Sequence, residues 1–447
     1  MTGADSDGRL GRGGSEPQSQ ADLLARAARA LPGGLIGRAG LPRELRFVPV
    51  RGEGARLFDR DGRSYVDYLA GAGALVLGHA HPRVTAAIVE QAKAGTLYFG
   101  LPSEPAIALA EQILAATPKA QKVVLTTTGS EATQYALRFA RAHMQRDLVL
   151  KFEGGYHGNH DLVQISTSRT APERQPLGVL DSLGVPAAIV DSVLVAPYND
   201  LDAVRRIVRE YHRRLAAIIV DPIQRGGVFP LPDFLPGLRT IADESGVLLV
   251  FDEVITGFRL AYGGAQEYFG VQADLVSYGK IIGGGLALGA IVGPAYILDL
   301  ADTTTESAAG HVLVNGTTHG SPVAAAAGLA VLAELRVPHF HRNLNEWTAN
   351  LRREVAARLR RHGVPAIVSG EGSFWHVAFA DRPHRNNADS LQADHSKIVR
   401  FDSELIRHGI YLLPGGRRIA TAAHGGSELE DTLRAVDAAC RRMGGAG

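Results

Sequence analysis

Two residues in this chain are placed for chemistry on an aldehyde cofactor. Lys280 lies in Ser277-Tyr278-Gly279-Lys280-Ile281-Ile282-Gly283-Gly284-Gly285, after a short apolar strand predicted over residues 275–277. A primary amine on such a tight loop can form a Schiff base, and the glycines around it leave room for a bound ring. Asp252 closes the apolar run Gly246-Val247-Leu248-Leu249-Val250-Phe251-Asp252-Glu253-Val254, which reads as a buried parallel strand. Ligands of open α/β sheets gather at such strand ends. A carboxylate there can pair with a pyridine nitrogen and keep it protonated, so that the ring withdraws electrons from a substrate carbanion. Taken singly, a capping aspartate and a solvated lysine would explain the same residues.

Two further elements decide between these readings. Val123-Val124-Leu125-Thr126-Thr127-Thr128-Gly129-Ser130-Glu131-Ala132 reads as strand, small-residue turn and helix start. Free backbone N–H groups at Gly129 and Ser130, with the hydroxyls of Thr128 and Ser130 beside them, suit a phosphate at the positive end of a helix. In Phe152-Glu153-Gly154-Gly155-Tyr156-His157-Gly158 an aromatic is held among glycines after the apolar strand 148–152, so Tyr156 can stack on a flat heteroaromatic ring. Amine, carboxylate, phosphate cradle and stacking ring together point to pyridoxal phosphate.

With these motifs in order, and with Pro32-Gly33-Gly34, Leu77-Gly78-His79-Ala80-His81-Pro82 and Phe251-Asp252-Glu253-Val254-Ile255-Thr256-Gly257-Phe258-Arg259, the chain resembles the class III, subgroup II aminotransferases that use pyridoxal phosphate. Within them it is most similar to the glutamate-1-semialdehyde 2,1-aminomutase branch, from about residue 24 to 440. The resemblance implies a fold type I, aspartate-aminotransferase-like α/β architecture. It implies that Lys280 carries the cofactor and shuttles the proton, that Asp252 binds the pyridinium, that Tyr156 and Val254 sandwich the ring with His157 alongside, and that Gly129 and Ser130 bind phosphate. It also implies a homodimer in which Thr317, in Asn315-Gly316-Thr317-Thr318-His319-Gly320-Ser321-Pro322, reaches the phosphate of the neighbouring subunit. From the residues alone, Thr317 is equally a helix cap before Pro322.

Departures from that branch bear on the substrate. Arg38, in Pro32-Gly33-Gly34-Leu35-Ile36-Gly37-Arg38, is shifted from the usual position of a carboxylate-binding arginine. Arginine offers bidentate carboxylate recognition, and Arg38 is a candidate substrate residue as well as a candidate solvated one. In Val220-Asp221-Pro222-Ile223-Gln224 an aspartate replaces the usual glutamate, and Asp221 is expected at the cofactor edge with shortened reach. The loop Leu413-Pro414-Gly415-Gly416-Arg417-Arg418 carries arginines where an acidic residue is common, so Arg417 is a second candidate for a donor carboxylate. Ornithine- and GABA-type relatives usually carry a glutamate shortly after Pro-Ile-Gln, where this chain has Arg225-Gly226-Gly227; that weakens those readings.

At 447 residues, 45% hydrophobic and with net charge +1, the chain matches a soluble multidomain enzyme. It has no basic block for nucleic acid or an anionic membrane, and Cys440 alone forms no intrachain disulfide. No signal peptide or long apolar span is visible, so a cytoplasmic location is expected. His79, His81, His157 and His319 lack metal-ligand spacing with Cys or carboxylates and read as turn and interface residues; no metal is expected.

The organisation expected is a disordered tail over 1–20, an N-terminal part of a small lobe over 21–80, a large cofactor domain with a mostly parallel, seven-stranded type of sheet over 81–338, and a small α+β domain over 339–447. A helix is predicted over 21–31 and β-like runs over 45–50 and 64–68. Residues 166–189 read as a gate over the site or a plain surface loop. The function expected is transfer of an amino group from an amino-acid donor to an oxo acceptor, in specialised metabolism such as antibiotic biosynthesis. The second reading is glutamate-1-semialdehyde 2,1-aminomutase, which runs both halves on one carbon skeleton, because the core motifs serve both. A catalytically silent binding protein of the same fold is the third; the presence of Lys280 and Asp252 speaks against it.

Overall fold

Runs of Val, Ile and Leu without polar alternation become strands buried on both faces. The computed structural model of the chain describes residues 18–37, 40–170, 174–305, 307 and 310–444. It opens with the helix Gln20–Ala30, started by a Ser19–Asp22 capping box. An antiparallel meander follows, β1 (Pro49–Glu53), β2 (Arg56–Asp59) and β3 (Ser64–Asp67).

The central sheet contains β4 (Lys122–Thr126), β5 (Leu148–Phe152), β6 (Val193–Ala196), β7 (Leu215–Val220), β8 (Leu248–Asp252), β9 (Leu275–Gly279) and β10 (Gly289–Gly293). Their spatial order is β4-β10-β9-β8-β7-β5-β6. Strand β10 runs antiparallel to both of its neighbours, and the other pairings are parallel. Consequently β4 to β9 all point their carboxyl ends the same way, and the residues just beyond the ends of β4, β5, β7, β8 and β9 meet. Strand β10 starts at that same end, where Gly289 is mandatory: a β-carbon there would stand 2.4 Å from the Thr128 carbonyl oxygen.

The remaining strands, β11 (Ile367–Ser369), β12 (Phe374–Ala378), β13 (Ile410–Tyr411) and β14 (Arg418–Ile419), belong to the smaller lobe. Strand β13 pairs parallel with β3, so the two ends of the chain share one small sheet. Their common core joins Leu41, Val66 and Tyr68 to Trp375, Phe401 and Val436. Long helices, Phe340–Arg361, His395–Arg407 and Gly426–Gly444, cover it.

Several expected elements need correction. Residues 43–45 form a single 3-10 turn, and the strand expected over 45–50 begins only at Pro49. Strand β9 extends to Gly279, so Lys280 follows it immediately. Strands β2 and β10 were not anticipated: β2 is four residues long with only Leu57 and Phe58 apolar, and β10 lies in a Gly- and Ala-rich apolar run, Leu286 to Val292, close behind the Lys280 loop. The 166–189 segment, of which 171–173 lie outside the described residues, is tied down at several points. The amides of Thr167 and Ser168 donate to the Asp181 carboxylate, Gln175 Nε2 donates to Glu153 at 3.1 Å, and buried Lys151 donates to Thr167 Oγ1 at 3.2 Å.

Candidate active site

The turn after β4 is shaped by its own side chains. Thr128 caps the helix Gly129–Met144, its Oγ1 accepting from the Glu131 amide at 3.2 Å while Glu131 Oε2 accepts from the Thr127 and Thr128 amides at 2.7 and 3.2 Å. Ser130 Oγ accepts from the Asn159 amide at 3.2 Å. Both hydroxyls therefore use an acceptor site on protein and keep their hydrogen to donate. The first-turn amides of Gly129 and Ser130 point from the helix start with its positive dipole end. Gly129 admits no side chain, because a β-carbon would lie 2.6 Å from Val254 Cγ1. Gly158, at φ +108°, packs so closely on Ser130 that a β-carbon would stand 2.7 Å from its Cα.

Asp252, at the end of β8, is buried and doubly held. Its Oδ1 accepts from the Val254 amide at 3.1 Å, and its Oδ2 lies 2.8 Å from His157 Nδ1. An ionised Asp252 makes that imidazole nitrogen the donor. His157 Nε2 is left without a protein partner among the described residues, as is Asp221 Oδ1. Both flank Gly155, whose β-carbon would sit 2.9 Å from the nitrogen and 3.3 Å from the oxygen. Burial lifts the Asp221 carboxyl to about 6, with His157 opposing and Asp252 adding to the rise.

Lys280 starts the 3-10 turn Lys280–Gly283 with φ +51°, in the left-handed region that residues with a β-carbon seldom occupy. Burial draws its amine down to about 8; Asp252 opposes that shift, and Arg417 and Arg259 reinforce it. The amine is thus far more often neutral near pH 7 than an exposed lysine would be.

These residues line one cavity of about 210 Å³, which holds Thr128, Gly129, Ser130, Tyr156, His157, Asp221, Asp252, Val254, Lys280 and Arg417 from the sequence reading. Tyr156 and Val254 supply flat and branched apolar surface, and Tyr156 Oη donates to Asn159 Oδ1 at 3.0 Å. Arg417 is anchored by a 2.9 Å bond from Nη2 to the Ile223 carbonyl and lies over the Phe374 ring, while its Nε has no partner among the described residues. Burial lowers it to about 10, with Asp221 raising and Arg225 lowering it further.

Thr317 does not join the cavity of its own chain. It is exposed, while the neighbouring Thr318 Oγ1 lies 2.9 Å from Thr127 Oγ1 at the cradle's outer edge. Arg38 lies outside the described residues. Of the two readings of His157, the one beside the cofactor fits the structure, where it is buried in the site against Asp252; the reading as a turn or interface residue is corrected. Thr133, Gly158, Arg225 and Ile255 also line the cavity and were missed as site residues. Helical spacing could have found Thr133, one turn beyond Gly129 and Ser130 on the same face.

The amine, the paired carboxylate, the hydroxyl and amide cradle and the Gly129 close approach fit pyridoxal phosphate. Comparison with known proteins agrees. A family model described as aminotransferase class-III matches residues 41–423. The chain is 39% identical to a glutamate-1-semialdehyde 2,1-aminomutase from Methanopyrus kandleri over 95% of this chain and 97% of the relative. It is 40% identical to one from Roseiflexus castenholzii over 94% and 96%. Among solved structures, an omega-transaminase from Sphaerobacter thermophilus aligns with a TM-score of 0.88 at 34% identity, covering 95% of this chain and 97% of that one. A glutamate-1-semialdehyde aminomutase from Pseudomonas aeruginosa aligns at 0.84 over 94% and 93%, at 23% identity, a likeness of fold alone.

Proposed function

The chain belongs to the class III aminotransferase family, and on that premise we propose that it moves an amino group from a carboxylate-bearing amino donor to an oxo acceptor. The observation that carries this reading is Arg417, a half-buried arginine on the wall of the Lys280 cavity whose buried Nε has no partner among the described residues. A buried donor nitrogen without a partner is costly, and a carboxylate offsets that cost.

Pyridoxal phosphate, when bound, supplies an aldehyde for a primary amine and a ring that withdraws electrons from the carbon next to it. The chain does the rest. Thr128, Gly129 and Ser130 hold the phosphate, while Tyr156 and Val254 fix the ring plane. Asp252, oriented by His157 and the Val254 amide, keeps the ring nitrogen protonated. Lys280 Nζ, drawn by burial to about 8, would take the proton from the donor's α-carbon and hand it on within the same half-reaction, and would do the reverse in the acceptor half. Asp221 adds a weakly acidic group at the ring's edge. We further propose that a second copy of the chain completes the phosphate site with Thr317, and that the enzyme works in the cytoplasm.

A second reading, glutamate-1-semialdehyde 2,1-aminomutase, is favoured by a specific observation: the full-length relatives at 39–40% identity carry that name. The names support it better than they support transfer between two molecules, whereas the omega-transaminase likeness supports transfer; Arg417 serves either, since both substrates carry a carboxylate. The two are separated by giving the holoenzyme glutamate-1-semialdehyde without an amino donor and assaying 5-aminolevulinate over several turnovers. Sustained formation overturns the transferase reading. No formation, by an enzyme whose visible spectrum responds to amino donors, supports it.

A further inference from the structure

Arg417 is carried on the short link between β13 and β14, residues 412–417, and one carboxylate of the small lobe fastens that link on both sides of it. Asp402 lies on the helix His395–Arg407 with no exposed surface. Its Oδ2 accepts from the Gly415 amide at 2.9 Å and its Oδ1 from Arg418 Nη2 at 2.5 Å. One bond falls before Arg417 in the chain and the other just after it, so the two oxygens bracket the residue that reaches the cavity. Within the link the backbone turns tightly: Gly415 holds φ +68°, and the Gly416 amide donates to the Leu413 carbonyl at 2.7 Å. Arg418 is fixed in its turn, facing Trp375 across the β12–β14 pairing and lying over that ring with its guanidinium carbon 4.8 Å from the centroid.

Stability alone does not account for this clamp. Burial raises the Asp402 carboxyl above its ordinary range, with Arg418 and the Gly415 amide opposing, so the charge is held where it is costly. Arg418 Nε and Nη1 have no partner among the described residues. Well-packed apolar side chains in place of a buried ion pair are often as stable or more so. What an apolar pair lacks is direction, because it offers the Gly415 amide no acceptor and leaves the link free to shift. Direction matters for Arg417, which gives Nη2 to the Ile223 carbonyl at 2.9 Å and lines the Lys280 cavity with Nε unpartnered among the described residues. A misplacement of about 1 Å is enough to spoil the alignment of such a side chain with a ligand.

We propose that Asp402 is a positioning residue for carboxylate recognition: by holding Gly415 and Arg418 it aims Arg417 into the cavity, and affinity for a carboxylate depends on Asp402 although it does not line the cavity itself. This rests on the reading of Arg417 as the carboxylate's partner, and the experiment tells the two apart. Butyrate, a carboxylate that carries no reacting group, is titrated calorimetrically into the natural holoenzyme, into R417Q and into D402L/R418M, which replaces the ion pair with apolar side chains. R417Q is expected to weaken butyrate about tenfold or more. D402L/R418M is expected to weaken it by a similar factor, while cofactor affinity, measured on the apoprotein, and the urea midpoint stay close to those of the natural protein. D402N keeps an oxygen for the Gly415 amide but loses the charge; it is expected to fall between the two, and it carries the test should the double variant not fold. Natural butyrate affinity in the Asp402 variants, alongside weakened binding in R417Q, overturns the proposal and leaves the Arg417 reading standing. Natural affinity in R417Q sinks the Arg417 reading and the proposal with it. A loss of cofactor affinity in step with the loss of butyrate also overturns the proposal, since the pair would then support the whole site rather than aim one arginine.

Discussion

Lys280 is the residue on which the chemistry turns, and its backbone reflects it. Holding a residue with a β-carbon at φ +51° costs about 1 to 3 kcal/mol. Replacing Lys280 with Ala removes the amine that moves the proton. Turnover is expected to fall by about a hundredfold to ten-thousandfold or more, with near-UV circular dichroism unchanged; appreciable turnover in that variant would remove Lys280 from the mechanism. The depressed amine also sets a pH dependence. Only the neutral amine attacks an aldehyde, and the lysine titrates at about 8, where an ordinary one titrates at 10.5. Cofactor uptake by the apoprotein, followed by visible absorbance, should therefore accelerate as pH rises to about 8 and level off above it. A rate still climbing toward pH 10 would contradict the burial argument.

At the scale of elements, the turn and helix after β4 form the phosphate cradle, and close packing determines their residues. In a Gly129→Ala variant the new β-carbon meets Val254, and such overpacking costs about 1 to 3 kcal/mol. Cofactor affinity, measured by titrating the apoprotein, is expected to drop by about fivefold to a hundredfold; an unchanged affinity would show that Val254 yields freely. The last strand makes a sharper division. Arg417, just before β14, and Arg418, its first residue, are adjacent, yet they go to opposite sides. Arg417 faces the cavity, whereas Arg418 enters the small-lobe core, 2.5 Å from Asp402 Oδ1 and over the Trp375 ring. Deleting one partner of a fully buried ion pair costs about 3 to 5 kcal/mol. In urea unfolding, Arg418→Ala should lose about that much. A loss under about 1 kcal/mol would mean that Asp402 is easily rehydrated.

At the scale of the whole molecule, the proposed second copy makes a prediction of its own. The turn carrying Thr317 is exposed at the edge of its own cradle rather than inside it. If Thr317 serves a neighbouring subunit, a dimer that combines Lys280→Ala in one chain with Thr317→Ala in the other keeps one site with both residues intact. Co-expression of the two variants should then recover up to about half of the natural activity per mixed dimer, on a symmetric two-site count. Should mixed dimers be no more active than the two variants measured apart, Thr317 acts within its own chain or not at all.

Much of this was legible in order along the chain. Apolar runs that end in Asp252, the glycine-flanked Lys280 and the Thr128 turn each carry a local signature, because strand burial, helix capping and close backbone approach constrain neighbouring residues directly. What the sequence determined by itself is therefore the strand-end chemistry: amine, carboxylate, phosphate cradle and stacking ring. The tertiary structure decided which of the remaining polar residues join them. His157 meets Asp252 across 95 residues, Arg417 enters the cavity while Arg418 leaves it, and His384 of the small lobe steadies the Arg225 turn from 158 residues away. None of these pairings has a short-range pattern. Each follows from bringing the carboxyl ends of five parallel strands and one edge of the small lobe to a single place, which only the folded chain does.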